Sequence, residues 1–118
     1  MQRKIVVIDS DSDNLAVMSD ILRLEGYRVL GMPRLQSLEQ VALAAPDLIL
    51  LEPFSQPRTG PVSCAGLKAS PLTRGCPLLL VSTEVDLDRI ALACRADGYA
   101  SKPFDVAALL SRVAGLLP

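Results

Sequence analysis

The run Pro46-Asp47-Leu48-Ile49-Leu50-Leu51-Glu52 is apolar at four consecutive positions and stops abruptly at an acid. A strand with one wet face would alternate apolar and polar residues. A short unbroken run reads instead as a strand buried on both faces, as a parallel sheet requires. Working outward, Ile5-Val6-Val7-Ile8 and Leu78-Leu79-Leu80-Val81 have the same character. Arg28-Val29-Leu30 and Gly98-Tyr99-Ala100-Ser101 supply two weaker strands. Between these runs apolar residues recur at helical spacing: Leu15, Met18, Ile21 and Leu22; Leu38, Val41, Ala42 and Ala45; Leu87, Ile90, Ala91 and Cys94; Val106, Leu109, Leu110, Val113 and Leu117. Ser12 or Asp13 is expected to cap the first helix and Gly26 to close it, with Asp86 and Asp105 at the starts of the last two. The third helix is expected to be short, over about Val62 to Ala69, with Pro61 as its first residue and Pro71 ending it.

Five strand–helix repeats demand a parallel sheet covered on both faces, with right-handed crossovers. The expected class is a doubly wound α/β sheet of the flavodoxin-like (βα)5 kind, strand order 2-1-3-4-5, in one domain spanning residues 1–118, either whole or the front of a longer protein. Ligands of such sheets bind beyond the carboxyl ends of the strands, near the switch between strands 1 and 3. That rule selects Asp9, Glu52, Ser82 and Lys102.

Composition removes many alternatives. The 118 residues are half apolar and contain no histidine, so Ser-His-Asp and Cys-His nucleophilic sites and most catalytic zinc sites are excluded. Cys64, Cys76 and Cys94 form no CxxC pair, and are read as reduced thiols rather than a disulfide framework or a zinc site. No apolar run approaches the roughly 18 residues of a membrane span. Met1-Gln2-Arg3-Lys4 leads straight into a strand without the pattern of a signal peptide, so a cytoplasmic location is expected. Net charge is −1, distributed as −3 over residues 1–52, +3 over 53–83 and −1 over the rest. The positive stretch holds only Arg58, Lys68 and Arg74, read as solvated surface, and nucleic acid is not an expected partner.

The stretches Val7-Ile8-Asp9-Ser10-Asp11-Ser12-Asp13-Asn14-Leu15, Pro46 to Glu52 and Lys102-Pro103-Phe104-Asp105, in this order and spacing, resemble a response-regulator receiver domain across essentially the whole chain. The resemblance implies a role in two-component or phosphorelay signalling. It implies an acidic pair after strand 1 that holds Mg²⁺, an aspartate after strand 3 that accepts a phosphoryl group, a Ser or Thr after strand 4, and a lysine before a cis-proline after strand 5. Asp9, Ser82 and Lys102 match that pattern, and Tyr99 stands where an aromatic residue turns inward on activation. Two positions depart from it: Ser10 replaces the second acid and Glu52 replaces the acceptor. The loop Pro53 to Gly60 departs too, with its second proline one place late and Thr59 where an aspartate is common.

Magnesium demands near-octahedral oxygen ligands, so a hydroxyl at Ser10 leaves Asp9 a weak metal ligand at best and no cofactor is expected. Glutamate carries its carboxylate one methylene further, into the space a transferred phosphoryl group would fill, and phosphoryl transfer rests on positioning. Asp11 and Asp13 are read chiefly as acids that complement a helix start. Glu52 is left two roles: a partial phosphate mimic facing Lys102, or an inert replacement. The leading expectation is a binding module, not an enzyme, that engages a signalling protein or a fused output domain without phosphorylation. A homodimer through helix 4, strand 5 and helix 5 is a further expectation. The alternatives are an Mg²⁺-dependent phosphoacceptor and, more remotely, a flavodoxin-like cofactor binder. Against the latter, Asp9, Asp11 and Asp13 would repel a phosphate.

Overall fold

The computed structural model describes residues 2–103 and 105–118; the Phe104 position of the motif quoted above lies outside the described residues. Along the chain run β1 (Lys4–Ile8), α1 (Ser12–Leu24), β2 (Arg28–Met32), α2 (Leu38–Ala44), β3 (Leu48–Leu51), a 3₁₀ turn (Pro53–Ser55), α3 (Cys64–Ala69), β4 (Leu78–Ser82), α4 (Leu87–Cys94), β5 (Gly98–Ser101) and α5 (Val106–Leu116). The strands form one parallel sheet in the order β2-β1-β3-β4-β5, as the alternation of elements predicts.

Because successive side chains of a strand point to opposite faces, the unbroken apolar runs feed two cores. Val6, Ile8, Ile49, Leu51, Leu78 and Leu80 face α2, α3 and α4 through Val41, Leu67, Leu87 and Ala91. Ile5, Val7, Leu48, Leu50, Leu79 and Val81 face α1 and α5 through Met18, Leu22, Leu109 and Val113. Each large aliphatic side chain buried this way contributes roughly 1.5–3 kcal/mol. The starts of the strands are clasped by two aspartates. Asp47 donates its N–H to the Lys4 carbonyl (2.7 Å) and accepts the Lys4 N–H on Oδ2 (2.8 Å). Asp97 does the same with Leu78, both bonds at 2.8 Å.

The helix starts correct two expectations. Asp11, not Ser12 or Asp13, caps α1: its Oδ1 accepts from the N–H groups of Asp13 (3.0 Å) and Asn14 (3.1 Å), the two positions an N-cap side chain reaches. Gly26, at φ +100°, closes the helix as expected. α3 begins at Cys64 rather than near Pro61, because Ser63 is the cap; its Oγ accepts from Gly66 N–H (3.0 Å) and donates to the Gly60 carbonyl (2.7 Å). This folds the loop back tightly onto the helix. A Cβ on Gly66 would lie 2.3 Å from the Gly60 oxygen and 2.4 Å from that of Pro61. Asp105 caps α5 through the Ala107 N–H (3.3 Å), whereas Asp86 stands at the α4 cap position without a side-chain cap bond.

Two polar side chains tie the loops that carry the site. Gln56 is buried; its Oε1 accepts from Leu35 N–H (2.6 Å) and its Nε2 donates to the carbonyls of Leu35 (3.1 Å) and Val62 (2.8 Å). Lys68, expected on solvated surface, is largely covered, donating to the carbonyls of Arg74 (2.9 Å) and Cys76 (3.0 Å) and to Asp97 Oδ2 (2.9 Å). Close to that ammonium, the Cys76 thiol is pushed up to about 11, chiefly by burial; Lys68 opposes the rise, and Asp47 and Asp97 add to it. Burial, with the Cys94 thiol beside it, also raises Cys64.

Gly66→Ala is expected to cost about 1–3 kcal/mol, because backbone atoms would have to move. Gly115→Ala, on α5 with open space around it, is expected to gain about 0.5–1 kcal/mol. Urea unfolding of the two variants beside the parent checks both signs. At about pH 8 Cys76 is expected to react sluggishly with iodoacetamide, its rate still climbing toward pH 11, as peptide mapping across a pH series would show.

Candidate functional site

The predicted residues converge at the carboxyl ends of the strands. Asp9 follows β1, Glu52 follows β3, Ser82 ends β4 and Lys102 follows β5. Asp9 is 1% exposed and makes two strong bonds: Oδ2 accepts from Lys102 Nζ at 2.7 Å and Oδ1 accepts from the Asp11 N–H at 2.9 Å. The Lys102 side chain is itself only 10% exposed, and its backbone N–H donates to the Ser82 carbonyl (2.8 Å). The Lys102–Pro103 peptide is cis. Ser82 Oγ accepts from the Glu84 N–H (3.3 Å), which orients the loop after β4.

Glu52 is placed by its backbone N–H, which donates to the Ile8 carbonyl (2.9 Å), and its side chain caps the following 3₁₀ turn, Oε1 accepting from the Phe54 N–H at 2.8 Å. Its Oε2 is buried and has no hydrogen-bond partner. Of the two roles left open for Glu52, the mimic needs a pairing with Lys102, and that pairing is not formed. Among the described residues the Lys102 ammonium makes one ion pair, and it goes to Asp9. The reason is competition: Asp9 is more deeply buried, and an unpaired charge there would cost more than one at Glu52.

Ser10 is exposed and is tied to Ser55, whose Oγ accepts the Ser10 N–H (2.7 Å) and donates to the Ser10 Oγ (3.2 Å). Ser55 and Gln56 were not legible in the sequence, because a polar residue in a loop carries no signal of the partner it will take. Tyr99 is 37% exposed. The Arg112 guanidinium lies 5.8 Å from its ring centroid and donates to the Tyr99 carbonyl (2.7 Å).

The donor set does not fit magnesium. Both Asp9 oxygens accept hydrogen bonds, one of them from an ammonium, Asp11 caps α1 through Oδ1, and Ser10 offers a hydroxyl tied to Ser55 in place of a second carboxylate. Magnesium keeps several waters and takes only one or two carboxylates; here the one that would face it, Asp9, is already paired with the Lys102 ammonium, which competes with a metal for the same charge. Among the described residues no group of three or more His, Cys, Asp or Glu side chains could hold a metal ion.

The DNA-binding response regulator MtrA of Mycobacterium tuberculosis is 31% identical over 117 residues, which cover 96% of this chain and 50% of MtrA. That match and the parallel sheet of order β2-β1-β3-β4-β5 point to one family. The chain is a response-regulator receiver domain. No family model matches the chain. The BeF3-activated receiver domain of RstA from Klebsiella pneumoniae superposes with a TM-score of 0.78 at 26% identity, over 95% of this chain and 96% of that one. The chemotaxis protein CheY4 of Vibrio cholerae gives 0.83 at 22% identity over 99% and 100%, a likeness of fold. The receiver thus spans about half the length of MtrA. None of its described helices is long and apolar enough to cross a membrane.

Lys102→Met is expected to destabilise this receiver by about 3–5 kcal/mol, since it strands a buried carboxylate. Adding Asp9→Asn should recover a large part of that loss, because the group left unpaired is then neutral. Urea unfolding at neutral pH of the two single variants and the double variant checks the coupling.

Proposed function

We propose that this receiver acts in two-component signalling by protein contact, without taking a phosphoryl group, and that Glu52 stands where related receivers carry the acceptor aspartate. The commitment of the Glu52 carboxylate carries this reading. Oε1 is spent on the Phe54 N–H and Oε2 points into protein, so a phosphoryl group would have to displace both and find room beside a longer side chain. The metal that would cancel charge in such a transfer would have to compete with the Lys102 ammonium for Asp9, and Ser10 brings no second carboxylate to help it.

Glu52 in this reading is an inert replacement rather than a phosphate mimic, because mimicry requires the Lys102 contact that Asp9 takes. The domain is then not an enzyme and works in the cytoplasm. Its partner is a separate signalling protein or an output domain of the same polypeptide. MtrA, whose name describes a DNA-binding protein, is twice as long as the stretch matched here, and a receiver from Pelobacter carbinolicus at 27% identity is described as modulating a diguanylate cyclase. Contact with nucleic acid by this domain itself is not proposed, since its net charge is −1. The α4–β5–α5 face is the proposed contact surface, supported by the exposed Leu92, Tyr99 and Val106 on those three elements.

Incubation with acetyl phosphate and Mg²⁺ followed by intact mass is expected to leave the parent protein unchanged. The Ser10→Asp/Glu52→Asp double variant, with the acid pair and the shorter acceptor restored, is expected to gain one phosphoryl group. A stable gain by the parent, lost in Glu52→Ala, would establish the phosphoacceptor reading instead.

A further inference from the structure

The loop after β3, which departs from the receiver pattern, forms one wall of an open groove of about 400 Å³. It contributes Pro53, Phe54, Pro57 and Arg58; α4 contributes Ile90, Ala93 and Cys94, and the buried Cys64 lies between. That volume lies within the range of about 300–1,000 Å³ typical of small-molecule sites. The lining is apolar apart from one group. Phe54 remains 49% exposed. Arg58 is exposed and makes no hydrogen bond or ion pair with another described residue. No acid lines the groove, and none occurs in the sequence from Pro53 to Thr83.

We infer that this groove binds a small amphipathic anion, an apolar chain or ring that ends in a carboxylate. Its body would lie against Phe54, Pro57 and Ile90 and its head would meet the Arg58 guanidinium, whose planar fork suits a carboxylate. The complementarity has two independent parts. Each methylene taken from water raises affinity about fourfold, and the unpaired cation selects the sign of the head group. The ligand would sit beside Phe54, whose N–H holds Glu52 Oε1. The site stands on its own whether or not Glu52 accepts a phosphoryl group.

The test is titration of the full chain with octanoate and, separately, with 1-octanol, followed by amide chemical shifts. Octanoate is expected to saturate in the millimolar range, as its few heavy atoms allow, with shifts centred on residues 53–58 and 90–94. Octanol should bind about tenfold more weakly, the usual worth of one charge-assisted hydrogen bond. Arg58→Gln should lower octanoate to the octanol level and leave octanol unaffected. Ala93→Trp should block both ligands; if that variant loses its fold, Arg58→Gln at its exposed position decides alone. Shifts that never saturate, that map elsewhere, or that persist unchanged in Arg58→Gln would overturn the proposal.

Discussion

The ion pair between Asp9 and Lys102 joins positions 93 residues apart, across a sheet in which β3 and β4 lie between β1 and β5. Bringing two charges out of water is expensive. What offsets it here is short distance and the second acceptor bond of Asp9 to the Asp11 N–H. The pair sets everything around it. It fixes the turn after β1, and so the cap of α1. It also steadies the chain leaving β5, where the Lys102 N–H donates to the Ser82 carbonyl, and it takes up the ammonium that mimicry by Glu52 would need.

A receiver whose lysine is satisfied by its own first aspartate has its charges arranged internally. The tip of β3 is likewise self-contained, since Glu52 caps the turn that begins with Pro53. Its carboxylate bends back to the Phe54 N–H, the same i,i+2 contact that Asp9, Asp11 and Asp105 make at their own turns. The Glu52 carboxylate thus serves the turn that follows it.

How much of this the sequence disclosed follows from which signals are local. Strand positions were legible because runs such as Leu48 to Leu51 are unbroken, and helix α4 because Leu87, Ile90, Ala91 and Cys94 share one face. The residues at the strand tips were legible because topology alone places them together. What was hidden depends on a side chain choosing among partners. Whether Lys102 takes Asp9 or Glu52 turns on relative burial, and no spacing encodes that. Ser12 and Asp13 were the expected caps of α1, and Asp11 took the role because the helix already starts at Ser12. Pro61 suited a first helical residue, yet the chain still had to turn back at Ser63 so that Gly66 could approach the Gly60 carbonyl.

The two aspartates at the strand starts bear on how the sheet finds its alignment. Where both faces of a strand are equally greasy, sliding it by one residue exchanges leucine for isoleucine and loses little burial, so packing alone specifies alignment poorly. Asp47 and Asp97 each grip a single backbone amide of the neighbouring strand and return their own N–H to the same residue. A slip of one position would break both bonds of a clasp and displace the strand tip by about 3.3 Å. The level of Asp9 with Glu52, and that of Ser82 with Lys102, is therefore kept from the opposite end of the sheet by acids that touch none of them.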